Sequence, residues 1–157
     1  MTSESIDWQA IRERIDGMMQ FTPHARALGL RITGVSAGKA EGLAPYRDDL
    51  VGDPDTGVIA GGVIIAFLDH LSGVAAMTAL GTPTPIATLD LRIDYMRPAT
   101  PGRDVKAQAH CYKATRSVAF VRAVAFEDSP DDPVANAVGA FMVNTVAVPG
   151  LNLKRGE

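Results

Sequence analysis

Between residues 5 and 19 the apolar positions Trp8, Ile11, Ile15 and Met18 recur every three or four residues, with charges between them. That period predicts an amphipathic helix. Gly17 and then Thr22-Pro23 mark its end. Leu28 to Val35 and Lys39 to Tyr46 predict two short strands, turned by Ser36-Ala37-Gly38. The stretch RDDLVGDPDTG, rich in Asp, Gly and Pro, predicts a loop. From about Gly61 to Leu80 the chain is apolar on every side, which predicts a buried helix closed off by Gly81, Pro83 and Pro85. Beyond it the period changes to two. Leu89, Leu91, Ile93 and Tyr95 share one face of a strand, with Asp90, Arg92 and Asp94 on the other. Val105, Ala107, Ala109 and Cys111 alternate with Lys106, Gln108, His110 and Tyr112 in the next. SVAFVRAVAFED is apolar on both faces, as a strand covered on two sides would be. VANAVGAFMVNTVAV is the last strand, and the tail GLNLKRGE is expected to fray.

The order is helix, two strands, long buried helix, four strands. Four consecutive strands leave no room for crossover helices, so a parallel βαβ sheet is disfavoured. A single antiparallel sheet curved around the one long helix satisfies the pattern, an α+β arrangement. No repeat or linker divides residues 1–157, so one domain is expected.

Composition narrows the function. The 157 residues are 46% hydrophobic and 21% charged with a net charge of −3, which leaves no basic footprint for nucleic acid. One cysteine, Cys111, excludes an intrachain disulfide framework and fits a reducing, cytoplasmic compartment. The polar start MTSESIDWQAIRERIDG does not read as a signal peptide. Residues 58–80 are long and apolar enough to cross a bilayer, but Asp69 and His70 would then lie near its centre, at a cost of about 3 kcal/mol for the aspartate. A helix buried inside the protein is the simpler solution, with no membrane partner.

That helix raises one problem of its own. A lone carboxylate on an apolar helix must be paired, hydrogen-bonded or shifted towards its neutral form. Asp69 is therefore either a structural carboxylate or a catalytic one tuned by burial. Gly61 and Gly62 stand where the helix should begin, and their N–H groups lack intrahelical partners. A backbone without Cβ lets a ligand approach, and the helix dipole favours negative charge there. Such a terminus suits an oxyanion or a polarised carbonyl. The plain alternative is that the glycines only permit tight packing of a turn.

GVIAGGVIIAFLDH followed by TLDLRIDYMRPA resembles the hotdog-fold thioesterases of the phenylacetic-acid-degradation type, and the order of elements from about residue 28 to 148 agrees. The family pattern is His-Gly-Gly, a helix carrying Asp, then a strand ending in Tyr-x-x-Pro. The resemblance implies a homodimer or dimer of dimers with sites shared between subunits, acting on acyl-CoA thioesters with no cofactor beyond the coenzyme A of the substrate. It implies that Asp69 is the catalytic base or nucleophile and Gly61 the oxyanion-hole glycine, with Gly62 beside it. It also implies that Thr88 contributes from the neighbouring subunit. Two positions depart from the pattern: Ala60 stands where the family often has His, and Asp53 where it often has Asn in the loop ahead. Ala60 offers no hydrogen bond to a thioester, which leaves a non-catalytic acyl-CoA-binding protein as the alternative. Asp53 can still accept one.

The remaining candidates are weaker. His70 points about 100° away from Asp69 on a helix, so it is expected to pack or to line the substrate site rather than to pair with the carboxylate. Cys111 lies on an apolar strand face, the ordinary place of a small buried hydrophobe. His24, His70 and His110 share no metal-ligand spacing, so no metal is expected. Arg97, Lys113 and Arg116 lie near turns, where cations for coenzyme A phosphates could sit. The polar loop and the helix over 5–19 are the expected cover of an acyl pocket.

Overall fold

A computed structural model of the chain describes residues 6–81 and 84–143. Helix α1 (Trp8–Phe21) is capped by Asp7, whose Oδ1 accepts the Ala10 N–H at 3.0 Å. The predicted helix thus forms, running through Gly17 to Phe21. Thr22-Pro23 does more than end it. Proline fixes φ in the helical range and needs no N–H partner in a first turn, so Pro23 opens a second short helix, α2 (Pro23–Leu28), closed by Gly29 at φ 70°. The pattern along the sequence assigns no element to residues 24–27.

Strands β1 (Arg31–Ser36) and β2 (Lys39–Ala44) form the first hairpin. The polar loop is more ordered than its composition predicts. It holds a 3-10 turn at Asp48–Leu50 and a small hairpin of β3 (Val51–Asp53) and β4 (Val58–Ile59). The long helix α3 spans Gly61–Ala79. Four strands follow: β5 (Ile86–Tyr95), β6 (Val105–Ala114), β7 (Val118–Phe126) and β8 (Ala135–Val143). Pro83, the predicted end of the last strand and the tail lie outside the described residues.

Six strands make one antiparallel sheet in the order β1-β2-β6-β7-β8-β5, wrapped around α3. This is the hotdog arrangement. What lets the helix sit so close is the sheet's inner face, which is mostly alanine: Ala40, Ala107, Ala109, Ala123 and Ala137 are all buried. At Gly42 even a methyl would be too much. A Cβ there would lie 2.8 Å from the Arg31 carbonyl oxygen and 3.0 Å from the Phe67 ring of α3. Small residues below and large ones above (Ile64, Phe67, Leu68, Leu71) give the core its interlock. Helix α3 is long and apolar enough to cross a membrane, yet most of it is buried within this sheet.

The two edges of the sheet differ. Helix α1 lies along β1 and caps its outward backbone groups. The Ile32 N–H donates to Asp16 Oδ1 at 2.8 Å, and the Leu30 carbonyl accepts from Gln20 at 3.3 Å. Burial alone would push Asp16 up, but the Arg31 guanidinium at 2.9 Å and the Ile32 N–H hold its carboxyl below the ordinary value. The far edge, β5, has no such cover among the described residues.

Strand β7 departs from its expectation. Ala119, Val121, Ala123 and Ala125 are buried against the helix side, while Val118, Phe120 and Val124 are only half-buried on the outer face. Tyr112, Val138 and Met142 are exposed on that same outer face. Among the described residues the strand is covered on one side only.

Candidate active site

Helix α3 is not buried all round. Gly61, Gly62 and Ile65 are exposed, and Asp69 is half-buried. Positions 62, 65 and 69 fall on one face of a helix, so they form a stripe that the sheet leaves open. Asp69 therefore escapes the full desolvation that its apolar neighbours in sequence suggest. The costly carboxylate sits where it can meet water or a ligand.

Its partner comes from β5. Thr88 Oγ1 donates to Asp69 Oδ1 at 2.8 Å, and Oδ2 has no partner among the described residues. Simple alternation along the strand would put Thr88 on the opposite face from Leu91 and Ile93. A β-bulge corrects this. Thr88 pairs with Phe141 and Asp90 with Ala140, leaving Leu89 as the extra residue. The bulge brings Ile86 and Thr88 to the same side as Leu91, Ile93 and Tyr95, towards the helix. Leu89 is left 55% exposed, although the period grouped it with the core-facing residues. Thr88 thus meets Asp69 of its own chain, and the contact that the resemblance assigns across a subunit boundary is made within one chain.

The helix terminus carries the second half of the site. Ala60 is the N-cap residue and supplies no side-chain cap; its N–H donates to the Leu50 carbonyl and its own carbonyl accepts from Val63. The N–H groups of Gly61 and Gly62 have no acceptor among the described residues. Gly52 packs directly on Ala60, where a Cβ would lie 2.8 Å from the Ala60 Cα, so β3 is pressed against the helix start. Asp53 follows in that hairpin, but its carboxylate serves the turn: Oδ2 accepts from Thr56 at 2.8 Å and Oδ1 from the Asp55 N–H at 3.0 Å. The Thr56 hydroxyl, then the Asp55 N–H, hold it below its ordinary value. No hydrogen bond links Asp53 to Asp69.

His70 turns away from the carboxylate. Its ring meets His24 of α2 edge-on at 6.4 Å, and its Nε2 is buried with no partner. Burial lowers its proton affinity despite the neighbouring Asp69, and His24 lowers it further. A neutral packing imidazole results. Cys111 is buried, and burial pushes its thiol up, so it is no activated nucleophile. Arg97 is committed to Glu127 at 2.5 Å and Asp132 at 3.1 Å, so it is not available to a phosphate. Lys113 and Arg116 are exposed at the β6–β7 turn. No group of three His, Cys, Asp or Glu among the described residues is placed to hold a metal ion.

A cleft of about 440 Å³ opens beside Gly61, between β4 and the segment that follows β5. Val58, Ile64, Tyr95, Met96 and Pro98 line it. Helix α1, expected as part of a pocket cover, lies instead along the opposite edge of the sheet. Tyr95 was placed in the sequence only by its strand face and a motif, yet its hydroxyl donates to the Gly61 carbonyl at 2.8 Å.

A carboxylate paired with a hydroxyl, on the same helix as terminal N–H groups that have no acceptor among the described residues, invites comparison with known proteins. The family model described as "Thioesterase superfamily" matches residues 56–134. The chain belongs to the thioesterase superfamily. Acyl-coenzyme A thioesterase 13 of Homo sapiens is 31% identical over 113 residues, covering 71% of this chain and 79% of that protein. A solved structure from Pseudomonas aeruginosa is 37% identical with a TM-score of 0.76, covering 84% of this chain and 98% of that one. A mutant of the phenylacetic acid degradation protein PaaI from Thermus thermophilus is 29% identical with a TM-score of 0.68, covering 78% and 99%. The thioesterase matched region contains both halves of the site, Gly61–Gly62 and Asp69–Thr88.

Proposed function

We propose that this protein hydrolyses acyl-CoA thioesters at sites built from two copies of the chain. The observation that carries the reading is the 2.8 Å Thr88–Asp69 hydrogen bond on the open stripe of α3. A carboxylate so held can take a proton from water, and Thr88 fixes which oxygen is free to do so. The thioester carbonyl oxygen rests on the helix-terminal N–H groups of Gly61 and Gly62. Water attacks the acyl carbon, its proton passes to Asp69, and the negative charge gathers on the oxygen at those donors. The carbon–sulfur bond then breaks, and the proton returns to the departing thiolate. The products are a free acid and coenzyme A.

Helical geometry supports the sharing. Gly61 and Asp69 are eight residues apart, about 12 Å along the axis. A carbonyl held by a donor and attacked by a carboxylate-bound water spans roughly 8 Å from donor nitrogen to carboxylate oxygen. Measured along the axis, that separation favours a carbonyl held by one chain's glycines and served by Asp69 of the other. Two antiparallel helices side by side would set the Gly61 end of each against Asp69 of the other. The exposed Ile65 between them and the β5 edge, uncovered among the described residues, supply the surface that such a homodimer would bury.

Ala60 contributes no side chain to the carbonyl, so polarisation falls on backbone groups alone. Hydrolysis of a panel of aromatic and straight-chain acyl-CoA esters, followed by thiol release and corrected for Cys111, tests the reading. Turnover of at least one ester is expected. Acyl-CoA binding with no thiol release would replace it with the non-catalytic binding protein.

A further inference from the structure

We propose that Tyr95 is a positioning residue that sets the Gly62 N–H as an oxyanion donor. The proposal rests on the thioester-hydrolysis reading above. A trans peptide is planar, and its C=O and N–H point in opposite directions. The Gly61 carbonyl and the Gly62 N–H belong to one such unit, and no peptide bond of the described residues is cis. Tyr95 Oη donates to that carbonyl at 2.8 Å. Holding the oxygen therefore holds the N–H on the other side of the unit. A carbonyl has two lone pairs, so the helix's own hydrogen bond can be made at the same time. Hydrogen bonding at the carbonyl also polarises the unit and strengthens the N–H as a donor.

The glycine pair fits this division of labour. A Cβ on Gly61 would lie 3.1 Å from Tyr95 Oη and 3.5 Å from its Cζ, so the phenol occupies that side. A Cβ on Gly62 would meet nothing within 4 Å, so the backbone is open there. The strand end that carries the phenol is itself fixed. Tyr95 ends β5 opposite Ala135, and the next residue's N–H bonds the Val134 carbonyl at 2.9 Å. Burial raises the proton affinity of Tyr95, so it stays a donor at neutral pH. Glycine needs such a brace, having the widest conformational freedom of any residue.

The test compares wild type, Tyr95→Phe and, as a control on the outer sheet face, Tyr112→Phe. Phenylalanine keeps the ring over Gly61 and removes only the hydroxyl. In Tyr95→Phe, kcat is expected to fall roughly tenfold or more with KM within about twofold, because the donor matters most to the charged transition state. The Gly62 amide resonance of ¹⁵N-glycine-labelled protein should move in Tyr95→Phe, while the strand glycines stay in place. Tyr112→Phe should leave both readouts unchanged. An unmoved Gly62 resonance, an unchanged kcat, or a raised KM with kcat intact would each overturn the proposal. If wild-type protein cleaves no acyl-CoA, hydrolysis fails as a reading. The resonance alone then decides whether Tyr95 holds the Gly62 donor: a shift supports it, and no shift overturns it.

Discussion

Asp69→Asn is expected to lower kcat for acyl-CoA hydrolysis by about 10²- to 10⁴-fold, the range for losing a positioned general base. The replacement is nearly isosteric. Its amide oxygen can still accept the Thr88 proton, so the geometry around the 2.8 Å contact should persist. What disappears is the ability to take a proton from water. KM should change little, because the carbonyl is held at the glycine end of the helix. Stability should also change little, since the residue lies half-buried on the open stripe and needs no ion pair. Parallel measurement of thiol release and thermal unfolding separates these effects. Retention of more than about half the wild-type kcat would remove Asp69 from the chemistry.

The largest effect on stability is expected at the other side of the same helix. Phe67 is 1% exposed and lies over Gly42, where the ideal Cβ position is 3.0 Å from its ring. Phe67→Ala should cost about 3–5 kcal/mol, towards the upper end, because the cavity it leaves cannot collapse. The floor is strand backbone and alanines that have no side chain to move into the space. A domain of this size loses about 2–4 °C per kcal/mol, so the midpoint of thermal unfolding should fall by roughly 10 °C or more. Calorimetry at fixed protein concentration measures it, since dimerisation would couple concentration to the midpoint. A loss below about 1 kcal/mol would mean that the helix and sheet repack freely, contrary to the interlock described here.

The long helix was legible because its apolar run has no competing period, and Gly61 and Asp69 could be singled out within it. Strand β6 was legible residue by residue, its alternation of Ala and Cys with Lys, Gln and His matching its buried and exposed faces. Two kinds of feature were not. The short helix α2 and the β3–β4 hairpin are too brief for a hydrophobic period to register, and Pro23 reads equally as an end or a beginning. The bulge at Leu89 breaks the rule on which strand reading depends, so pattern alone sends Thr88 to the wrong face. Only the resemblance singled out Thr88, and it assigned the residue to the other subunit. Tyr95 was visible as a strand residue, but nothing in its spacing reveals that its hydroxyl reaches across to the first carbonyl of α3. A signal existed in the Tyr-x-x-Pro motif, without a physical reason attached to it.

Sharing of the site between two copies is the central claim of the proposed mechanism, and a mixed dimer tests it most directly. Gly62→Pro removes the N–H of one donor in the first helical turn, where proline is tolerated and a Cβ meets nothing within 4 Å. Asp69→Asn removes the base. Each variant alone should be nearly inactive. Co-expressed with different tags and purified through both, they form a dimer in which one site carries both lesions and the other carries neither. Such a dimer should recover about half of the wild-type turnover. A mixed dimer as inactive as its two parents would contradict the account, because the glycines and Asp69 would then have to serve the same substrate from a single chain.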